Sequence, residues 1–330
     1  MPHYSLVPVI EISYLYEISI TANLKKLILL LFLFPCFGNA QDYVDLVKIG
    51  YGQTFNNDFE GTNSSTRIHF SEIDITFPIV LNDKNAFITG VSFNQNTLQL
   101  FPEADNTNLY STLLKVGFVT TYNDKWSSSL VLLPKIASNY QNLSGDDFFI
   151  GGFGLLKLKK KENLTYRFGI YATTEAFGFF TTPILGWYYL SPNKKFEMDI
   201  SLPIAADINY DAGFTTLGID YYGIGRSYNL RKKNQPNLYV DQSSLEFSAY
   251  TQFGVLQKSV LLRAKVGYAT SKNEVYTNAD NINLGISALS FGDDRTQLNP
   301  TLSGGVFLKF EAIYRFQIKN KKEEIETVID

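Results

Sequence analysis

Few residues in this chain are equipped for catalysis. Its two histidines are His3 and His69, and its one cysteine is Cys36. His69 stands in an alternating segment, with no serine, asparagine or aspartate spaced to complete a hydrolytic set around it. A hydrolase built into a barrel would collect its nucleophile, base and orienting group from different strands. Spacing therefore cannot assemble such a set, and a membrane-embedded hydrolase stays as the lesser alternative. One histidine without a thiol partner does not make a zinc site. Asp293 and Asp294, in GDDR (292–295), could approach a cation, but they lack the ligand spacing of a calcium loop. GGFG (151–154) has neither the lysine nor the helix of a phosphate loop. The expectation is a protein with no catalytic group, cofactor or metal.

The informative charges are those that recur at every second position. Residues 305–319 read GVFLKFEAIYRFQIK. Val306, Leu308, Phe310, Ala312, Tyr314 and Phe316 share one face, while Lys309, Glu311 and Arg315 share the other, because strand side chains alternate with period two. The same alternation sets Lys115 against its apolar neighbours in 110–118 and Arg167 in 164–170. It does so again for Glu197 and Asp199 in 196–202, and for Arg263 and Lys265 in 260–268. Glu72, Asp74, Lys135, Asp207, Asp220 and Glu246 complete the charged face. No helical segment lies between the strands to cover the apolar face, so lipid is the expected cover. The charged face then lines a lumen. Its acids and bases nearly balance, which favours pairing across strands over a one-sign selectivity ring.

The chain has 330 residues, a net charge of −3, and is 15% aromatic, with 21 Tyr and 26 Phe. Tyr belongs at membrane–water girdles, and the lack of basic excess argues against nucleic acid. Lys25 and Lys26 precede the apolar run 27–37, and a small-residue end follows at Ala40, the tripartite pattern of a secretory signal peptide. Glu11 and Glu17 are out of character for such a leader, so translation is expected to start further downstream. The predicted organisation is a signal peptide over 1–40, a transmembrane barrel over 41–319, and a charged periplasmic tail over 320–330.

Short polar connections (81–85, 123–125, 159–163, 191–195, 211–213, 256–258) take turns with longer ones (56–66, 98–108, 139–147, 173–182, 231–242, 270–304). That is how outer-membrane barrels distribute periplasmic turns and extracellular loops. The rhythm fails once, at the run 196–210. Pro203 interrupts it and cannot donate to a strand ladder. A reversal there restores parity and gives fourteen strands, with twelve as the alternative. The predicted fold is all-β, a membrane-spanning antiparallel up-and-down β-barrel.

The chain resembles uncharacterised outer-membrane β-barrel proteins of Gram-negative bacteria whose signal peptide ends NAQ. The resemblance covers residues 24–319, and its most specific part is GDDRTQLNP…GGVFLKFEAIYRF (292–316). It implies location and fold and carries no activity. The expected partners are outer-membrane lipids, the barrel-assembly machinery and a small solute. The favoured role is non-enzymatic passage of small solutes, or a surface and structural one; a gated transporter of a specific ligand is the alternative. The segment 270–304 holds Ile282, Leu284, Ile286, Leu289 and Phe291, too apolar for free exposure to water. It is expected to fold over or into the mouth, with Asp293, Asp294 and Arg295 meeting lumen charges such as Arg263 and Lys265.

Overall fold

The computed structural model describes residues 43–231 and 237–317. The expected signal peptide and charged tail lie outside them. Fourteen antiparallel strands close on themselves. The first seven are β1 (Tyr43–Phe55), β2 (His69–Val80), β3 (Asn85–Leu98), β4 (Thr107–Thr121), β5 (Trp126–Ser138), β6 (Phe148–Lys161) and β7 (Leu164–Glu175). They continue as β8 (Gly178–Leu190), β9 (Phe196–Leu202), β10 (Ala205–Asp211), β11 (Thr216–Leu230), β12 (Leu238–Val255), β13 (Val260–Ala269) and β14 (Gly305–Gln317). Each pairs with its neighbour in sequence, and β1 closes on β14 from Val44↔Phe316 to Phe55↔Val306.

The outer surface explains the closure. Ile49, Phe77, Leu130, Leu185, Ile219, Leu262 and Phe310 point outward and lie exposed around the whole wall. An apolar belt of that extent needs a solvent without hydrogen-bond donors, and such a solvent tolerates no open sheet edge. The tight turns have their own chemistry. The Asn82 side chain accepts from the backbone N–H groups of Lys84 and Asn85, and Asn123 does the same for Lys125 and Trp126. These Asx turns fix the hairpins at NDK tripeptides.

The chain reverses at Pro203, where the Ile204 N–H donates to the Ser201 carbonyl at 2.9 Å. Parity is thereby satisfied with fourteen strands. Residues 173–182, expected to form a longer loop, instead remain in strand. β7 and β8 pair up to Glu175↔Gly178, leaving only Ala176 and Phe177 as the turn. Gly178 makes this possible with φ +121°, a conformation open to glycine. A Cβ there would also stand 2.7 Å from the Ile282 carbonyl oxygen.

The hairpin β9–β10 is short, with seven residues in each strand. Beyond it, β11 has no wall neighbour on that side. The upper half of β11, with the first half of β12, leaves the wall and crosses the barrel, while 246–255 of β12 stay paired with β13. Asn229 pairs in parallel with Ser138 of β5, and Ser227 Oγ donates to the Glu175 carboxylate at 2.8 Å. The even-numbered face of the crossing hairpin packs Tyr228 and Val240 into an apolar core with Phe59, Leu98, Leu109 and Val275. Residues 284–286 run parallel to β8 at Phe180↔Gly285 and Thr181↔Ile286, pairing part of the β8 edge that β9 leaves bare.

Candidate functional site

Glu311 stands on the inward face of β14, between Gly50 of β1 and Arg263 of β13. Its side chain is fully buried and receives four cations: Lys48 at 3.0 Å, Lys265 and Lys309 each at 3.2 Å, and Arg263 at 3.8 Å. Strand register creates the cluster. Arg263 is directly opposite Glu311, and Lys265 is directly opposite Lys309. That like-charged pair is unfavourable alone, and Glu311 lies between its two members. Lys309 also meets Glu72 at 2.8 Å, and Lys48 meets Glu72 at 3.3 Å. Gly50 makes room for this arrangement, since a Cβ there would come within 2.8 Å of Glu72 Cγ.

The cluster extends around the wall. Arg263 pairs with Asp207 at 3.3 Å and stacks over the Tyr250 ring at 4.1 Å, while the Tyr250 hydroxyl donates to Asp207 at 2.7 Å. Lys265 pairs with Asp220. Tyr250 itself lies flat over Gly218, where a Cβ would be 2.3 Å from the ring. Beside the cluster, where Asp74 stands opposite Lys48, Lys115 holds Asp74 at 2.6 Å, and further around the wall Arg167 holds Asp199. Nearer the short turns, Arg315 binds Asp45 at 2.6 Å and covers the Tyr43 ring, whose hydroxyl donates to Glu197 at 2.6 Å. Glu246 lines the same space. These opposite charges hold one another with short geometry, and in doing so neutralise the wall.

The long-loop end carries its own ion pairs. Lys135, buried, pairs with Glu175, whose other oxygen accepts from the Ser227 N–H at 2.8 Å. Arg295 reaches in to Asp241 at 3.0 Å and to the Tyr239 hydroxyl at 3.1 Å, and it covers the Tyr276 ring at 4.2 Å. Asp293 grips the same guanidinium at 2.9 Å, which holds its carboxyl below the ordinary carboxylate range. The expected contacts of this motif with Arg263 and Lys265 are replaced by these, because the crossing hairpin stands between. Asp294 is exposed. His69 sits on the outer face, its Nδ1 3.4 Å from the Tyr51 hydroxyl.

A cavity of about 1190 Å³ occupies the barrel. It opens at the short-turn end, where Lys194 and Phe214 border it, and rises past Glu72 and Lys265. At the other end it meets Ile282, Gly285 and Ser287, so the segment after β13 forms its end wall. Lys48, Glu175 and Asp241 escaped the period-two reading for separate reasons. The register of β1 shifts between Asp45 and Val47, while Glu175 and Asp241 lie in stretches expected to be loops.

The chain belongs to a family described as a domain of unknown function (DUF6268), whose model matches residues 38–284. No curated protein matches it in sequence. Among solved structures it is similar to the NanC porin, at 9% identity and a TM-score of 0.36, covering 81% of this chain and 98% of that one. It is also similar to the TodX monoaromatic hydrocarbon channel, at 10% identity and a TM-score of 0.34, covering 84% and 90%. A third is the beta domain of the Bordetella autotransporter BrkA, at 10% identity and a TM-score of 0.31, covering 83% and 100%. Likeness at this level carries nothing about cargo.

Proposed function

We propose that this member of the family is a non-enzymatic outer-membrane barrel that passes small polar solutes, with its long-loop end closed in the conformation described. The supporting observation is the large charge-lined cavity, open at the short turns and ended by residues 282–287. A signal peptide cleaved after Ala40 would deliver the chain, with the short turns facing the periplasm and outer-membrane lipid around the apolar belt. The balanced ion pairs favour neutral or zwitterionic solutes over ions of one sign.

Conductance across a planar bilayer tests this. The full chain should give small or rare steps, and deletion of residues 281–297 should give large, steady ones. If the deleted chain inserts and stays silent, solute passage fails and a surface or structural role takes its place.

A further inference from the structure

The wall of the cavity is not charged all round. Between the ion pairs of Lys115, Lys135 and Arg167, the inward face of β4–β8 carries an apolar patch of Leu113, Leu133, Phe153, Leu155, Tyr171 and Ile184. Phe153 stands directly opposite Tyr171. Leu155 lies across Gly169, where a Cβ would come within 2.9 Å of its Cδ1.

The crossing hairpin presents two charges to the same space. Glu246 sits where β12 leaves the wall, opposite Tyr222, and Arg226 sits four residues further along β11, opposite Gln242. Both line the cavity, and among the described residues neither makes an ion pair. Their charged neighbours are taken: Lys309 holds Glu72 at 2.8 Å, and Lys265 holds Asp220. Arg226 bonds the Tyr228 hydroxyl, which steadies the guanidinium but is neutral. Four residues of strand span about 13 Å, and Ile224 with its partner Ser244 lies between the two charges. The Arg226 charge also acts on Tyr171 and Lys135, so its head stands beside the apolar patch.

We propose that this stretch of the lumen is a binding site for an α-amino acid with a large apolar side chain, an inference that deepens the solute-passage reading and rests on it. The solute's carboxylate sits bidentate on Arg226, its ammonium meets Glu246, and its side chain lies on Leu133, Phe153 and Tyr171. One molecule thus neutralises both charges of the hairpin and brings no net charge to the belt around Glu311. A solute with one charge leaves the other head uncompensated, and a zwitterion without an apolar body leaves the patch wet. The cavity is open at the short turns, so the closed long-loop end does not bar entry.

Equilibrium dialysis against the detergent-folded full chain tests the site, with folding read by heat-modified gel mobility. L-Phenylalanine should bind saturably, one molecule per chain. Phenethylamine, which lacks the carboxylate, and 3-phenylpropanoate, which lacks the ammonium, should each bind about tenfold more weakly or worse. Glycine, which lacks the ring, should also bind more weakly. The two charge variants should then fail in opposite ways. Arg226→Gln should weaken phenylalanine about tenfold and leave phenethylamine unchanged. Glu246→Gln should weaken phenylalanine by as much and leave 3-phenylpropanoate unchanged. The site is overturned if phenylalanine does not saturate, if the single-charge analogues bind as tightly, or if either folded variant weakens every probe alike. Conductance reads passage separately. Charge-selective binding in a chain whose 281–297 deletion stays silent keeps the site and removes passage, whereas large steps without saturable binding keep passage and remove the site.

Discussion

Asn229 of β11 pairs in parallel with Ser138 of β5, although the two strands are not neighbours in the wall. The Asn139 N–H donates to the Asn229 carbonyl at 3.0 Å, and Asn229 Nδ2 donates to the Asp146 carbonyl at 2.8 Å. A strand edge crossing the lumen thus finds partners for its backbone on the opposite wall. The short β9–β10 hairpin is the reason it can cross, since a full-length neighbour would hold β11 in the wall.

The seal made by this crossing should be breakable from its even face. Tyr228 is fully buried, and its hydroxyl accepts from Asn96 Nδ2 at 3.0 Å. Tyr228→Ala should cost about 3–5 kcal/mol, as for other large aromatics truncated in a core. It should raise bilayer conductance above that of the full chain. A destabilised variant with unchanged conductance would show that the core beside Tyr228 is not the barrier.

Glu311 keeps four cations together, so Glu311→Gln should be costly out of proportion to its size. Removing one partner of a buried ion pair costs roughly 3–5 kcal/mol. The lumen would also gain one net positive charge, and reversal potentials in a salt gradient should move toward anion preference. No shift in reversal potential would mean that ions do not pass the Glu311 belt.

The two faces of a strand should respond differently to the same charge. Leu262 is 47% exposed on the lipid face, and Leu262→Arg should cost roughly 2–4 kcal/mol in a bilayer. Thr165, on the lumen parity opposite Tyr188, should tolerate arginine far better. Denaturant titrations of vesicle-inserted protein read the difference, and equal losses would refute the facing.

The wall was legible in the sequence because its period of two repeats in every strand and because Pro203 marks the one hidden reversal. The crossing was not. Ser227, Asn229 and Asp241 keep the strand period while their strands leave the wall, so alternation alone cannot tell lipid from an opposite strand. Residues 173–182 read as a loop, yet Glu175 keeps the lumen parity of Arg167 and pairs with Lys135, and Gly178 opens β8 directly after the two-residue turn Ala176–Phe177. The apolar content of 282–291 did mark a segment that packs, but its charged neighbour Arg295 chose Asp241, whose strand could not be located from pattern.

Arg295 should act as the latch of the end wall. Its side chain is almost wholly buried between Asp241, Asp293 and the Tyr239 and Tyr276 groups, with Glu274 bonded to the Tyr276 hydroxyl. Arg295→Met keeps the length but leaves Asp241 without its cation, at a local cost of about 3 kcal/mol. Residues 281–297 should then be cut faster by protease in intact vesicles. Acid should have a weaker effect in the same direction. Because Arg295 depresses the folded pKa of Asp293, that pair contributes fully above the ordinary carboxylate range and is lost as pH falls through the depressed value. Asp293→Asn should remove the part of the pH dependence that belongs to this pair. If Arg295→Met is cut no faster than the parent chain at neutral pH, the segment is held by its strand pairing with β8 alone and Arg295 is no latch.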